Sequence, residues 1–117
     1  MSAILVAPEY WWLEAVSSSD LKITGNTITA CKGIPICIEA TAGNGDIAPV
    51  GAHQHLSILG NTIKNCPAPG ILVCSTDGLR LENNTLELND HRKSLPGLMR
   101  KAGLKELQAV VQILCRP

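Results

Sequence analysis

Apolar and polar residues alternate along three short stretches that share one grammar. Leu21-Lys-Ile-Thr-Gly-Asn-Thr-Ile28, Leu56-Ser-Ile-Leu-Gly-Asn-Thr-Ile63 and Leu79-Arg-Leu-Glu-Asn-Asn-Thr-Leu86 each alternate aliphatic residues with others, then give Gly or Asn, then Asn-Thr and another aliphatic. Alternation of period two predicts a strand with one buried face. The Gly/Asn-Asn pair inside it predicts a sharp bend in left-handed backbone. Each stretch therefore reads as strand, corner, strand.

The likeness runs past the corner. Cys31 stands five residues after Asn26, and Cys66 five after Asn61. Gly33-Ile-Pro-Ile-Cys-Ile38 then parallels Gly70-Ile-Leu-Val-Cys-Ser75. The third copy reaches Asn89 at the Cys31 position, is interrupted, and resumes as Ala109-Val-Val-Gln-Ile-Leu114. Asn26 and Asn61 are 35 positions apart, Asn61 and Asn84 only 23. A spacing of about 22 to 25 residues suits one circuit of three strands, so the first circuit carries an extra loop. The Gly-rich stretch from Thr41 to Gln54 supplies it. Circuits stacked about 4.8 Å apart set equivalent side chains above one another. Asn26, Asn61 and Asn84 would then bond along the corner. Ile28, Ile63 and Leu86 would line the interior, with Cys31 and Cys66 beside them.

Composition fits a narrow, layered core. The 117 residues are 45% hydrophobic, yet there is no Phe, and the only aromatics are the adjacent Tyr10, Trp11 and Trp12. Such a core is built of Ile, Leu, Val, Ala and Cys. Five cysteines in apolar surroundings, with no C-x-x-C, read as buried free thiols. Ten basic residues balance ten acidic ones, so no net field favours nucleic acid or an anionic membrane. The N-terminus lacks the basic region of a signal peptide, and no apolar run spans a bilayer. As written, the chain is expected to be cytoplasmic, or secreted if it is a fragment of a larger protein.

The Ile-x-Gly-Asn-Thr-Ile … Cys … Gly-Ile-x-Ile pattern resembles the repeats of right-handed parallel β-helix proteins, the pectin-lyase-like superfamily. The likeness covers residues 9–90, with a weaker echo at 109–115. Trp11-Trp12-Leu13-Glu14-Ala15, followed by Ser-Ser-Ser-Asp-Leu-Lys-Ile-Thr-Gly-Asn, is similar to β-helix glycosidases of the α-galactosidase type, although those enzymes are several times longer. The resemblance implies an all-β fold of about three rungs. It leaves function open, because the superfamily holds lyases, hydrolases, epimerases, phage tailspikes and non-catalytic surface proteins. The expected organisation is one β-helix domain over 1–117: repeats at 9–90, a helical insert or cap at 91–107, and a final strand at 109–115. Within the insert, Leu95, Leu98 and Met99 are spaced for a short amphipathic helix over 96–101, a plug for the last rung or a partner-binding helix.

The sharpest catalytic expectation comes from stacking Leu13-Glu14-Ala15 on Ile38-Glu39-Ala40. Glu14 and Glu39 would then stand about 5 Å apart. Repulsion would raise one pKa and create the acid and base of glycoside hydrolysis, with Asp46 nearby. Trp11, Trp12, His53 and His55 would add stacking and polar contacts to a sugar. Glu on an outward strand face is more often merely solvated, and one of two adjacent Trp faces the core. His53 and His55 on one side of a strand, with Asp46, suggest a metal pair; no fourth ligand is in sight, so neither metal nor cofactor is assigned.

Three functions follow as expectations: a non-catalytic β-helix module binding carbohydrate or a protein partner, a glycoside hydrolase or polysaccharide lyase, and a structural self-associating protein. A short repeat array with open ends is also expected to form a homo-oligomer.

Overall fold

The computed structural model describes residues 2–8, 17–43, 45–89 and 108–117. The described residues are all-β. Their strands are β1 (Ile4–Val6), β2 (Lys22–Thr24), β3 (Thr27–Thr29), β4 (Ile36–Ile38), β5 (His53–Leu59), β6 (Thr62–Pro67), β7 (Ile71–Cys74), β8 (Thr76–Glu82), β9 (Thr85–Asn89) and β10 (Val110–Ile113). They pair in parallel and form three sheets, ordered β1-β4-β7-β10, β2-β5-β8 and β3-β6-β9. The chain visits these sheets in a fixed cyclic order, and each strand lies against the one three elements before it. This arrangement is compatible with a β-helix-like coil. The expected helix over 96–101 and the start of the repeats at 9–16 lie outside the described residues.

The corner between the second and third sheets has the backbone the sequence predicts. Gly25, Gly60 and Asn83 have φ of 65°, 63° and 57°, the left-handed region that Gly enters freely and Asn tolerates. The next residue in each circuit is the asparagine of the ladder. Asn61, wholly buried, accepts on Oδ1 from Asn26 N–H and Asn26 Nδ2, both at 3.0 Å. Its Nδ2 donates to Ile23 O (2.9 Å) and Asn84 Oδ1 (3.0 Å). The corner backbone and the buried amide thus satisfy each other, as burial demands.

Inward residues stack by type: Ile23 on Ile58 on Leu81, Ile28 on Ile63 on Leu86, and Ile36 on Ile71. Ile58, Ile63 and Ile71 are fully buried, each contributing about 1.5–3 kcal/mol by removal from water. In β4, β7 and β10 the first sheet is also buried on its outer face, where Ile34, Cys37, Leu72, Cys74 and Val111 form a second cluster.

Two registers differ from expectation. The 35-residue offset that relates Asn26 to Asn61 continues through β4, pairing Ile36 with Ile71, Cys37 with Leu72 and Ile38 with Val73. Gly33 and Gly70 are therefore not equivalent, and Cys37 and Cys74 sit two residues out of line. Between Lys64 and Cys66 the pairing of β6 with β9 slips by one, so Leu88, not Asn89, lies against Cys66. Asn65, with φ of 53°, is the extra residue. The extra loop of the first circuit falls between β4 and β5, where a Thr41–Ile47 bridge and the bond from Ala48 N–H to Ala40 O (2.9 Å) close its stem. The weak echo near the C-terminus is a strand: β10 runs parallel to β7, Val110 against Ile71.

Candidate functional site

The expected stacking of Glu14 on Glu39 involves a residue outside the described ones; among the described residues, Glu39 has another neighbour. β4 lies on β1, with Ile38 against Val6. The pairing continues as Glu39 N–H donates to Val6 O (2.8 Å) and Thr41 N–H to Pro8 O (3.2 Å). Residues 38–40 thus run beside 6–8. The signal was weak, because Ile4-Leu5-Val6 lacks the Asn-Thr tag that marks the other circuits. Glu14, Trp11 and Trp12 lie outside the described residues. Glu39 is half-buried, and Asp46 is exposed on the excursion between β4 and β5.

The two histidines part company. His53 is completely buried; its Nδ1 accepts from Ser18 N–H (3.2 Å) and its Nε2 faces Glu39 O at 3.0 Å. Those contacts call for the tautomer protonated on Nε2. Both nitrogens are thereby engaged with backbone, and His53 serves as a tie between successive circuits, with no face turned to a ligand. His55 is exposed. It occupies a second left-handed corner with Asp20 and Gly78, at φ of 55°, 58° and 83°. The expected placement of the pair on one side of a strand is therefore corrected, and no group of three metal-binding side chains converges among the described residues.

All five cysteines are free thiols. Burial, reinforced by Glu39, pushes the Cys37 thiol up to about 12 against a small opposing hydrogen bond with Ser2. Burial also raises Cys74 and Cys115. None of these three has the lowered pKa of a nucleophilic cysteine. Cys66 is structural: its Sγ accepts from Cys31 N–H at 3.3 Å.

A different set of groups is repeated at the corner between the second and third sheets. In the first circuit Gly25 N–H donates to Leu59 O (3.1 Å), and Asn26 N–H and Nδ2 donate to Asn61 Oδ1. In the second, Gly60 N–H donates to Glu82 O (3.0 Å), and Asn61 N–H and Nδ2 donate to Asn84 Oδ1, both at 3.0 Å. The equivalent donors of the third circuit are Asn83 N–H, Asn84 N–H and one Nδ2 hydrogen of Asn84. They meet no acceptor among the described residues; the other Nδ2 hydrogen reaches Ile58 O at 2.9 Å. Leu81 and Leu86, the inward residues flanking this corner, are only partly buried. A further layer has begun on the same edge: Arg116 pairs in parallel with Asp77 and accepts from Gly78 N–H (3.1 Å) and Leu79 N–H (2.8 Å).

The chain matches no family model, no curated protein and no solved structure.

Proposed function

We propose that the chain is a short right-handed parallel β-helix of the pectin-lyase-like kind, acting as a non-catalytic binding module whose ligand is a protein partner engaged at an end of the coil. One observation carries this reading: interior residues of the middle circuit, such as Ile58 and Ile63, are fully buried, whereas Ile4, Val6 and Leu21 at one end and Leu81, Leu86 and Leu88 at the other are only partly so. Apolar surface and strand edges left at the ends of a repeat array are where a protein partner gains most. The hydrolase or lyase alternative rests on Glu14, which lies outside the described residues, and a carbohydrate reading rests on Trp11, Trp12 and the exposed His55 alone.

Selection of peptides from a display library on the intact protein, run beside a glycan array, tests this reading. It expects selected peptides that slow amide exchange in Ile4–Val6 or Leu79–Asn89. Glycan binding without peptide binding would overturn it. So would polysaccharide cleavage that is lost in Glu39→Gln.

A further inference from the structure

We propose that Cys31 and Cys66 are a redox-sensitive pair, which a peroxide links into a disulfide that staples the first circuit to the second. The two residues are equivalents one layer apart. The offset of 35 holds before them, where Thr29 pairs with Lys64, and after them, where Ile36 pairs with Ile71. Just ahead of them Ala30 and Asn65 both take left-handed backbone, at φ of 57° and 53°, and Ala30 N–H donates to Lys64 O (3.1 Å). The Cα atoms of Cys31 and Cys66 therefore stand about 4.8 Å apart, the spacing of neighbouring strands, within the range of roughly 4.4–6.8 Å that a disulfide spans. The Cys66 side chain already leans across the gap, its Sγ 3.3 Å from the Cys31 amide nitrogen. Bond formation thus asks for side-chain rotation, with the strand pairing unchanged.

The remaining thiols are less well placed. Cys37 pairs with Leu72, so Cys74 lies two residues further along the neighbouring strand. Their Cα atoms are then about 8 Å apart, beyond the reach of a disulfide. Cys115 turns its Sγ to Val73 O and Ile113 O, both at 3.3 Å. On the other side of Cys66 the neighbour is Leu88, so no third thiol extends the column.

The chemistry balances with one molecule of peroxide. Cys31 is half-buried where Cys66 is fully buried, so its thiolate attacks first. The O–O bond breaks, leaving a sulfenic acid on Cys31 and one water. Cys66, whose thiol now donates to Lys64 O (3.2 Å), gives up that proton and attacks Cys31 Sγ. The hydroxide displaced takes up the proton and leaves as a second water. Two thiols have lost two electrons to the peroxide, and a dithiol reductant reverses the step. Residues 31–66 become a closed loop, which lowers the entropy of the unfolded chain and holds the first circuit against the second.

The test is to oxidise the full chain with a slight excess of hydrogen peroxide, digest it without reduction and sequence the joined peptides by mass spectrometry. A product joining Cys31 to Cys66 is expected as the main cross-link. The thermal midpoint should rise by about 5 °C or more and return with dithiothreitol. Cys31→Ser should abolish both effects, and Cys37→Ser should keep both. A sulfinic acid on Cys31 without the joined peptide, a main cross-link between any other two cysteines, or an equal yield in urea-unfolded protein would each overturn the pairing. An unchanged midpoint in the joined product would overturn the staple.

Discussion

Asn61 receives both the backbone N–H and the side-chain amide of Asn26 on a single carboxamide oxygen, each at 3.0 Å. Its own amide reaches Ile23 O and Asn84 Oδ1. Every polar atom of this buried side chain is therefore used, and its loss would take the acceptor from Asn26 N–H. Asn61→Ala is expected to cost roughly 3–4 kcal/mol in urea denaturation. Asn26→Ala, at a partly exposed position, should cost no more than about 1 kcal/mol. Equal losses at the two positions would show that the ladder is not cooperative across layers.

The corner before each asparagine needs left-handed backbone, and its chemistry differs only in the third copy. A Cβ on Gly60 would meet nothing within 4 Å, so Gly60→Ala tests backbone strain alone. About 1–2 kcal/mol of destabilisation is expected. Gly60→Asn, which copies Asn83, should retain most of the thermal stability. An alanine variant as stable as the asparagine variant would contradict the left-handed assignment.

Core energetics should be graded along the coil. Ile63 has no exposed surface, whereas its neighbour Leu86 is half-buried against the same cluster. Ile63→Ala is expected to cost about 3–4 kcal/mol and Leu86→Ala about 1–2 kcal/mol. Native-state hydrogen exchange should likewise open β9 before β6. Uniform protection across the two strands would count against frayed end layers.

Alkaline pH should destabilise the fold through the buried thiols. Cys37 titrates at about 12 in the folded protein against an ordinary value of 9.0, so the unfolded chain loses its proton first. Its contribution is fully present below the ordinary thiol value and is lost as pH rises towards the folded one. The urea midpoint should fall as pH rises from about 9 towards about 12, less steeply in Cys37→Ala. Native Cys37 and Cys74 should also resist a thiol reagent that labels both after unfolding.

The asparagine tag was legible in the sequence because few residues tolerate left-handed backbone and then bond a neighbouring layer. That tag located Asn26, Asn61 and Asn84, and with them the second and third sheets. The first sheet was harder to read. Its inward positions accept any aliphatic residue, so the matching glycines at 33 and 70 suggested a register two residues away from the one hydrogen bonding imposes. For the same reason Ile4-Leu5-Val6 gave no sign of being the strand that lies against β4. His53 looked like half of a ligand pair because spacing alone does not say which strand face is inside. A bulge such as the one at Asn65 leaves no mark on a pattern of period two.

The excursion between β4 and β5 lies inside the 35-residue offset that relates Asn26 to Asn61, and the next offset, from Asn61 to Asn84, is 23. Its stem is fastened by the Thr41–Ile47 bridge and by the hydrogen bond that Ser75 Oγ donates to Ala48 O. Gly43, exposed within this excursion, belongs to no strand. Such a position is a grafting point, where an epitope or affinity handle can be inserted and lengthened while the scaffold keeps its layers.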